Sequence, residues 1–489
     1  MKKPNQSANL YKPSWIFSMA VGSAVGWGSF VLPYDWIQQS GWLGASLGFT
    51  IGGAIITIIG LNYGVAIKCL PVSGGAVAHA LSARGRLSGA IAGWSLALGY
   101  SSIVALNASA VPLIIRSLNP YSESGLRLYS IAGWDVYLSD VLVCSAFIVA
   151  FAVMANHGAS ISGRFQFIAV AAMISTVAIL VVWSLAHCNF SEAFYRQALP
   201  DGQTLLVATG SVVAIAPWAY VGFDSIPQLA GEFSFPPKKA RKLLVTGIMS
   251  ATMIYIAMIL VTAVLTVSDL EIYRNSAWAI ADAVSGAFGP IGMLLLIVAV
   301  SSGIVTGLNG FFTASSRTLM TMGRARILPE VFSRQDGNRQ VPTVSIYTVM
   351  CICLITPWFG RAALSWIVDM ASIGITVAYF YTSLCVRKIG KTGFSFGMNE
   401  RQPTSTKTRL LGDAGCIVSL AFLVLLFLPG APSRLSPQAL MALTIWIVIA
   451  IGMCTFRRNH ILKTSDEVLA NEIFNMHFSK PLSCTEEHR

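Results

Sequence analysis

The chain has 489 residues, of which 55% are hydrophobic and only 11% charged, with a formal net charge of +12. An ordinary globular chain carries about a quarter charged residues, so this composition excludes a water-soluble domain and implies a membrane domain with short connections. The basic excess does not make a nucleic-acid binder, because the lysines and arginines lie almost wholly between the apolar runs.

A membrane helix needs about 20 mostly apolar residues. Runs of this kind predict twelve spans, at 14–34, 43–68, 88–115, 139–156, 165–187, 204–229, 243–267, 287–315, 342–359, 363–386, 412–429 and 438–456. Residues 1–13 form a polar segment with Lys2, Lys3 and Lys12, and no small-residue cleavage site follows, so the first apolar run is expected to be a retained span. Residues 457–489 form a tail. Twelve crossings return the chain to its starting side, and with that side cytoplasmic, 27 of the 33 lysines and arginines fall inside against 6 outside. The positive-inside rule then predicts cytoplasmic termini flanking a membrane domain over 14–456.

In the outer connections, Trp134, Tyr137, Tyr195 and Trp278 are expected to anchor the water and lipid boundary. In the tail, Thr464 followed by Glu467, with Leu469, Ile473 and Met476 at helical spacing, predicts a capped helix on the inner surface. The nine cysteines, Cys69, Cys144, Cys188, Cys351, Cys353, Cys385, Cys416, Cys454 and Cys484, lie mostly inside apolar runs without metal-ligand spacing. They are expected to be buried apolar groups, and no cofactor or metal is expected. Nor does a nucleophile and base pair mark an enzyme.

Two spans violate the rules for a continuous helix. The first holds Gly22, Ser23, Ala24, Val25, Gly26, Trp27 and Gly28, and glycine costs about 1 kcal/mol in a helix interior relative to alanine. The sixth holds Pro217, Trp218, Ala219, Tyr220, Val221, Gly222, Phe223, Asp224 and then Pro227, so two backbone donors are missing around a glycine. Spans one and six open two successive groups of five, and broken helices at corresponding positions mark an inverted-repeat arrangement. Unwound backbone there offers free NH groups to a carboxylate and free carbonyls to an ammonium group. Close helix packing through Gly22 and Gly26 is the alternative.

These residues resemble the amino acid, polyamine and organocation superfamily. The likeness rests on Gly22 to Pro33, on Pro71-Val72-Ser73-Gly74-Gly75, and on Trp218 to Glu232. Asn309, Ser316-Arg317, Gly323 to Pro329 and Ala371-Ser372-Ile373-Gly374 complete it over residues 12–456. The sixth span is most similar to the cationic amino acid transporter branch. The resemblance implies an all-α fold of two inverted five-helix repeats plus two further helices. It also implies a substrate site for an amino acid or related amine formed by Gly22, Ser23, Ala24, Gly26, Trp27, Gly28, Pro217, Trp218, Ala219, Tyr220 and Gly222. Trp218 would cover the substrate. Trp27 stands where relatives commonly carry serine, and Met173 where some proton-coupled relatives carry a lysine. Arg317 lies where a span meets the cytoplasm, where snorkelling into the headgroups suffices to explain it, and the family motif implies a structural tether for the inner loop, not a ligand.

Asp224, an acid within an apolar span, is the candidate for proton coupling, with an ion pair or a hydrogen bond to broken-helix amides as its alternative. Asp369, near the outer end of span ten, is a weaker candidate. Val298, Ser301 and Ser302 form a possible sodium site together with carbonyls of the first span, although such serines usually bond within their own helix. The expected function is a secondary transporter or exchanger of amino acids or related amines in a plasma membrane, the inner membrane in a bacterium, driven by protons. The alternatives are a sodium-coupled symporter and a non-transporting nutrient sensor of the same fold.

Overall fold

A computed structural model describes residues 10–118, 126–131, 133–186, 192–266, 272–274, 276, 278–337, 339–393, 404–457 and 472–473. The chain order is α1 (Pro13–Ala24), α2 (Gly28–Val31), α3 (Pro33–Cys69), α4 (Gly75–Arg84), α5 (Arg86–Leu118), β1 (Arg127–Ile131), β2 (Trp134–Tyr137), α6 (Leu138–Asn156) and α7 (Ala159–Ala186). There follow α8 (Glu192–Arg196), α9 (Leu205–Ala214), α10 (Ala216–Ala219), α11 (Ser225–Gln228), α12 (Ala240–Thr266), α13 (Ala279–Arg324), α14 (Thr343–Ile355), α15 (Gly360–Thr392), α16 (Thr406–Phe427) and α17 (Pro437–Phe456). Among the described residues, nine helices are long and apolar enough to cross a membrane. The broken span α1/α2, the broken span α9 to α11, and α14 with the 3-10 turn Thr356–Phe359 complete the twelve.

The helix neighbours repeat when each of the first five spans is exchanged for its counterpart in the second five. α3 packs along α12 and α5 along α13, each pair being counterparts. Likewise α1 lies on α12 as α9 lies on α3, and α7 lies on α13 as α15 lies on α5. Five crossings are an odd number, so the second repeat starts from the opposite side and is inverted relative to the first. α16 and α17 lie outside both repeats, and α16 packs on α15.

Several boundaries differ from expectation for local reasons. Pro33 opens α3, where its missing N–H is an orphan in any case. The helix then runs to a turn at Gly41, so span one extends about a turn and a half beyond residue 34. Gly41 has φ 66°, and a Cβ there would lie 2.3 Å from the Ala198 carbonyl oxygen, which makes glycine obligatory. Connection 3–4 contains an antiparallel hairpin, β1 with β2, where the sequence reading placed no strand; Tyr129, Val136 and Trp134 supply the side chains that suit one. Trp278 is no interfacial anchor. It is buried, and its indole N–H donates to the Phe30 carbonyl at 2.9 Å. Tyr195 is 62% exposed. Cys69, Cys144, Cys353, Cys385 and Cys416 are buried, but Cys351 is exposed and Cys454 half-buried. Cys188 and Cys484 lie outside the described residues, as do Thr464, Glu467, Leu469 and Met476. Ile473 is described and is buried.

Candidate substrate site between two broken helices

Both predicted breaks are present and they face each other. α1 stops at Ala24, Val25 leaves the helical region, and α2 begins at Gly28. In the sixth span, α10 stops at Ala219 and α11 starts at Ser225, with Gly222 at φ 125° between them. A Cβ on Gly222 would lie 2.3 Å from the Ser23 carbonyl carbon and 2.6 Å from the Ala24 nitrogen. The two interruptions therefore touch through backbone, which only glycine allows. Tyr255 of α12 bridges them, with its hydroxyl 3.1 Å from the Ala24 carbonyl and 2.6 Å from the Ala219 carbonyl. These are carbonyls that a helix end leaves without an intrahelical donor.

A cavity of about 40 Å³ lies between the breaks, lined in part by Ser23, Ala24, Gly26, Trp27, Gly28, Trp218 and Ala219. Its volume is near that of a single water. The other expected site residues stand elsewhere. Gly22 packs against Gln166 and Thr306, Tyr220 donates to the Phe49 carbonyl at 2.7 Å, and Gly222 serves the backbone contact. Pro217 lines a larger cavity of about 320 Å³. Trp27 and Trp218 border both cavities.

Asn107 of α5, not singled out from sequence, also lines the small cavity. Its Nδ2 donates to the Ile103 carbonyl at 2.8 Å, while its buried Oδ1 has no partner. The buried hydroxyl of Ser23 has none either. Both residues line the cavity, while the two oxygens themselves pack toward α13, Ser23 Oγ against Gly310 and Asn107 Oδ1 against Gly307. An amide within an apolar run was the available sequence signal.

Asp224 is fully buried and does not line the small cavity. Its Oδ1 accepts from the Gly222 N–H at 2.9 Å and its Oδ2 from the Tyr100 hydroxyl at 2.7 Å. It thus fastens α5 to the break. Around the possible sodium residues, Ser302 is buried, whereas Val298 and Ser301 are half-buried. The Gly22 carbonyl accepts from Thr306 Oγ1 at 2.9 Å. Gln166 donates to the carbonyls of Ser18 and Thr306 at 3.3 Å each, and accepts from Asn309 Nδ2 at 2.7 Å. Met173 is buried.

Arg317 corrects its expectation. It does not snorkel: it is 1% exposed and forks onto Glu232, with Nε to Oε1 and Nη2 to Oε2 both at 3.0 Å. A planar guanidinium matches a carboxylate in this way. The Glu232 carbonyl accepts from the Tyr11 N–H at 2.8 Å, and Thr321 Oγ1 donates to the Ser73 carbonyl at 3.0 Å. Gly74 N–H donates to the Gln228 carbonyl at 2.8 Å. Motifs far apart in sequence thus meet on the face that carries residue 11 and the end of α13, and they close it below the breaks. On the opposite face lie the cavity of about 320 Å³ and another of about 510 Å³, the latter lined in part by Trp27, Arg116, Trp134 and Trp278.

A family described as amino acid permeases matches residues 14–452. The chain is 22% identical over 380 residues to the branched-chain amino acid permease of Lactococcus lactis subsp. cremoris, covering 75% of this chain and 79% of that one. It is 23% identical over 342 residues to the aspartate-proton symporter of Bacillus subtilis, covering 67% and 63%. With the mitochondrial cationic amino acid transporter 3 of Arabidopsis thaliana it shares 24% identity over 374 residues, covering 74% and 59%. These are permeases and transporters, not enzymes. A multi-pass helical protein with two facing breaks, matched by this family over most of its length, belongs to the amino acid permeases.

Proposed function

We propose that this permease is a secondary transporter or exchanger of amino acids or related amines, working by alternating access about its two broken helices and coupled to protons through Asp224. The observation that carries this reading is the apposition of the breaks around one small cavity, with the Ala24 and Ala219 carbonyls joined through Tyr255 and with Ser23 and Asn107 among the lining residues. Carbonyls at the breaks accept from an ammonium group. A water-sized cavity must widen to take a solute, and Trp218, half-buried on the partition between two cavities, is the side chain whose rotation does so. The Arg317–Glu232 pair then parts when the opposite face closes. The transporter domain is taken as 14–456, set in a plasma membrane, bacterial inner membrane in a prokaryote, with cytoplasmic ends.

Proton coupling rests on Asp224, the one acid buried among the described residues. Protonating its carboxyl makes one of these two oxygens a donor and leaves the other a neutral, weaker acceptor, which weakens the bonds to Tyr100 and the Gly222 amide and loosens the tie between α5 and the break. His79, in the helix between spans two and three, is a poor carrier because burial pushes its pKa down to about 3. Sodium binding at Val298, Ser301 and Ser302, together with carbonyls of the broken first span, is the second reading. Proteoliposomes with independently imposed gradients test the proposal. Uptake should follow an inward proton gradient and lose that response in Asp224→Asn. Accumulation driven by sodium alone, unchanged in Asp224→Asn, would overturn proton coupling. Uptake that requires solute inside and ignores both gradients means exchange, and absence of flux with retained ligand binding means a sensor.

A further inference from the structure

Among the described residues, the carboxylate of Asp369 has no partner, and it stands beside a cavity on the proposed substrate path. It lines the cavity of about 320 Å³ together with Ser372, three residues on and so on the same face of α15, and with Trp27 and Trp218. Asp369 is half-buried and makes no ion pair or hydrogen bond among the described residues. Much of the remaining wall is apolar, including Leu106, Pro217 and Leu426. Arg434 also borders the cavity but does not pair with Asp369; it lies exposed on the connection before α17, where water and salt screen it. An acid near the outer end of a span that finds no partner among the described residues is open to a charge that arrives from outside.

Resting on the transport reading above, we propose that Asp369 is a specificity-determining residue that receives a second ammonium group on the substrate, so the preferred solutes are diamines or amino acids with a basic side chain. Trp27 and Trp218 separate this cavity from the small one between the breaks. A substrate whose amino-acid end occupies the breaks extends its side chain past these indoles, whose π-faces favour a cation over a neutral group. The terminal ammonium then meets Asp369 and Ser372. A neutral side chain of the same length fills the same space and leaves the carboxylate unpaired.

The purified full-length protein tests this with lysine and with norleucine, which has the same four-carbon chain without the amine. Binding is read by thermal shift and transport by proteoliposome uptake. In the wild type, lysine should bind on the order of tenfold or more tightly than norleucine. Asp369→Asn should abolish that preference by weakening lysine alone, and Asp369→Glu should retain part of it. An unchanged ratio in Asp369→Asn, an equal loss for both ligands, or failure of lysine to stabilise the wild type would each overturn the proposal. The transport reading fails separately: lysine that stabilises the wild type in an Asp369-dependent way without any flux upholds the site and removes the transporter. Norleucine uptake without lysine binding does the reverse.

Discussion

Arg317 shows how far one side chain's meaning depends on its surroundings. In the chain it is a basic residue at the end of an apolar run, and in the fold it is fully buried in a fork with Glu232. Removing one partner of such a pair leaves a charge without compensation, which costs about 3 kcal/mol or more, whereas replacing both with apolar groups is close to neutral. Glu232→Met should therefore lower stability by about that amount, while Arg317→Met combined with Glu232→Met recovers most of it. Thermal unfolding of the two single variants and the double variant in detergent measures the coupling. Additive losses would mean the fork contributes nothing of its own. Asp224 was recognisable as an acid in an apolar span, but its bonds to Tyr100 and the Gly222 amide join residues that the sequence keeps apart.

At the scale of elements, the two interruptions were legible because glycine and proline act locally, through φ and through a missing donor. Their contact was not. Gly222 reads as a loose turn between prolines, yet its space is bounded by the Ser23 and Ala24 backbone of a helix two hundred residues earlier. Gly222→Ala should cost at least about 2 kcal/mol, from both the positive φ and the overlap. Gly286→Ala is the control, since that helical glycine is exposed and has nothing within 4 Å of an added Cβ. It should be neutral or stabilise by about 0.5 to 1 kcal/mol. Thermal unfolding compares the two, and equal losses would show that the breaks tolerate separation. Local signals also misplaced the end of span one. The span was ended at residue 34, whereas Pro33, at a first helical position, starts α3.

For the molecule as a whole, the distribution of charge predicts that epitope tags at Gln6 and Ser479 are both reached only from the cytoplasm, since 27 of 33 basic residues lie on that side. Tags reached from opposite sides would break the twelve-span count. The sequence by itself determined the membrane class, the number of spans, the positions of the breaks and the family likeness. Each of these follows from hydropathy, from backbone preference or from motifs contiguous in the chain, and none requires knowing which helices touch. Only the tertiary structure decided that the breaks share a cavity, that Asn107 of α5 lines it, and that the motifs around Ser73, Glu232 and Arg317 close one face. It also placed Asp369 on a cavity wall without a partner among the described residues. In a bilayer nearly every outward position is apolar, so hydropathy does not distinguish a helix face toward lipid from one toward another helix. That choice rests on close packing of small residues and on pairing of the few polar atoms, which depend on groups brought together from distant parts of the chain.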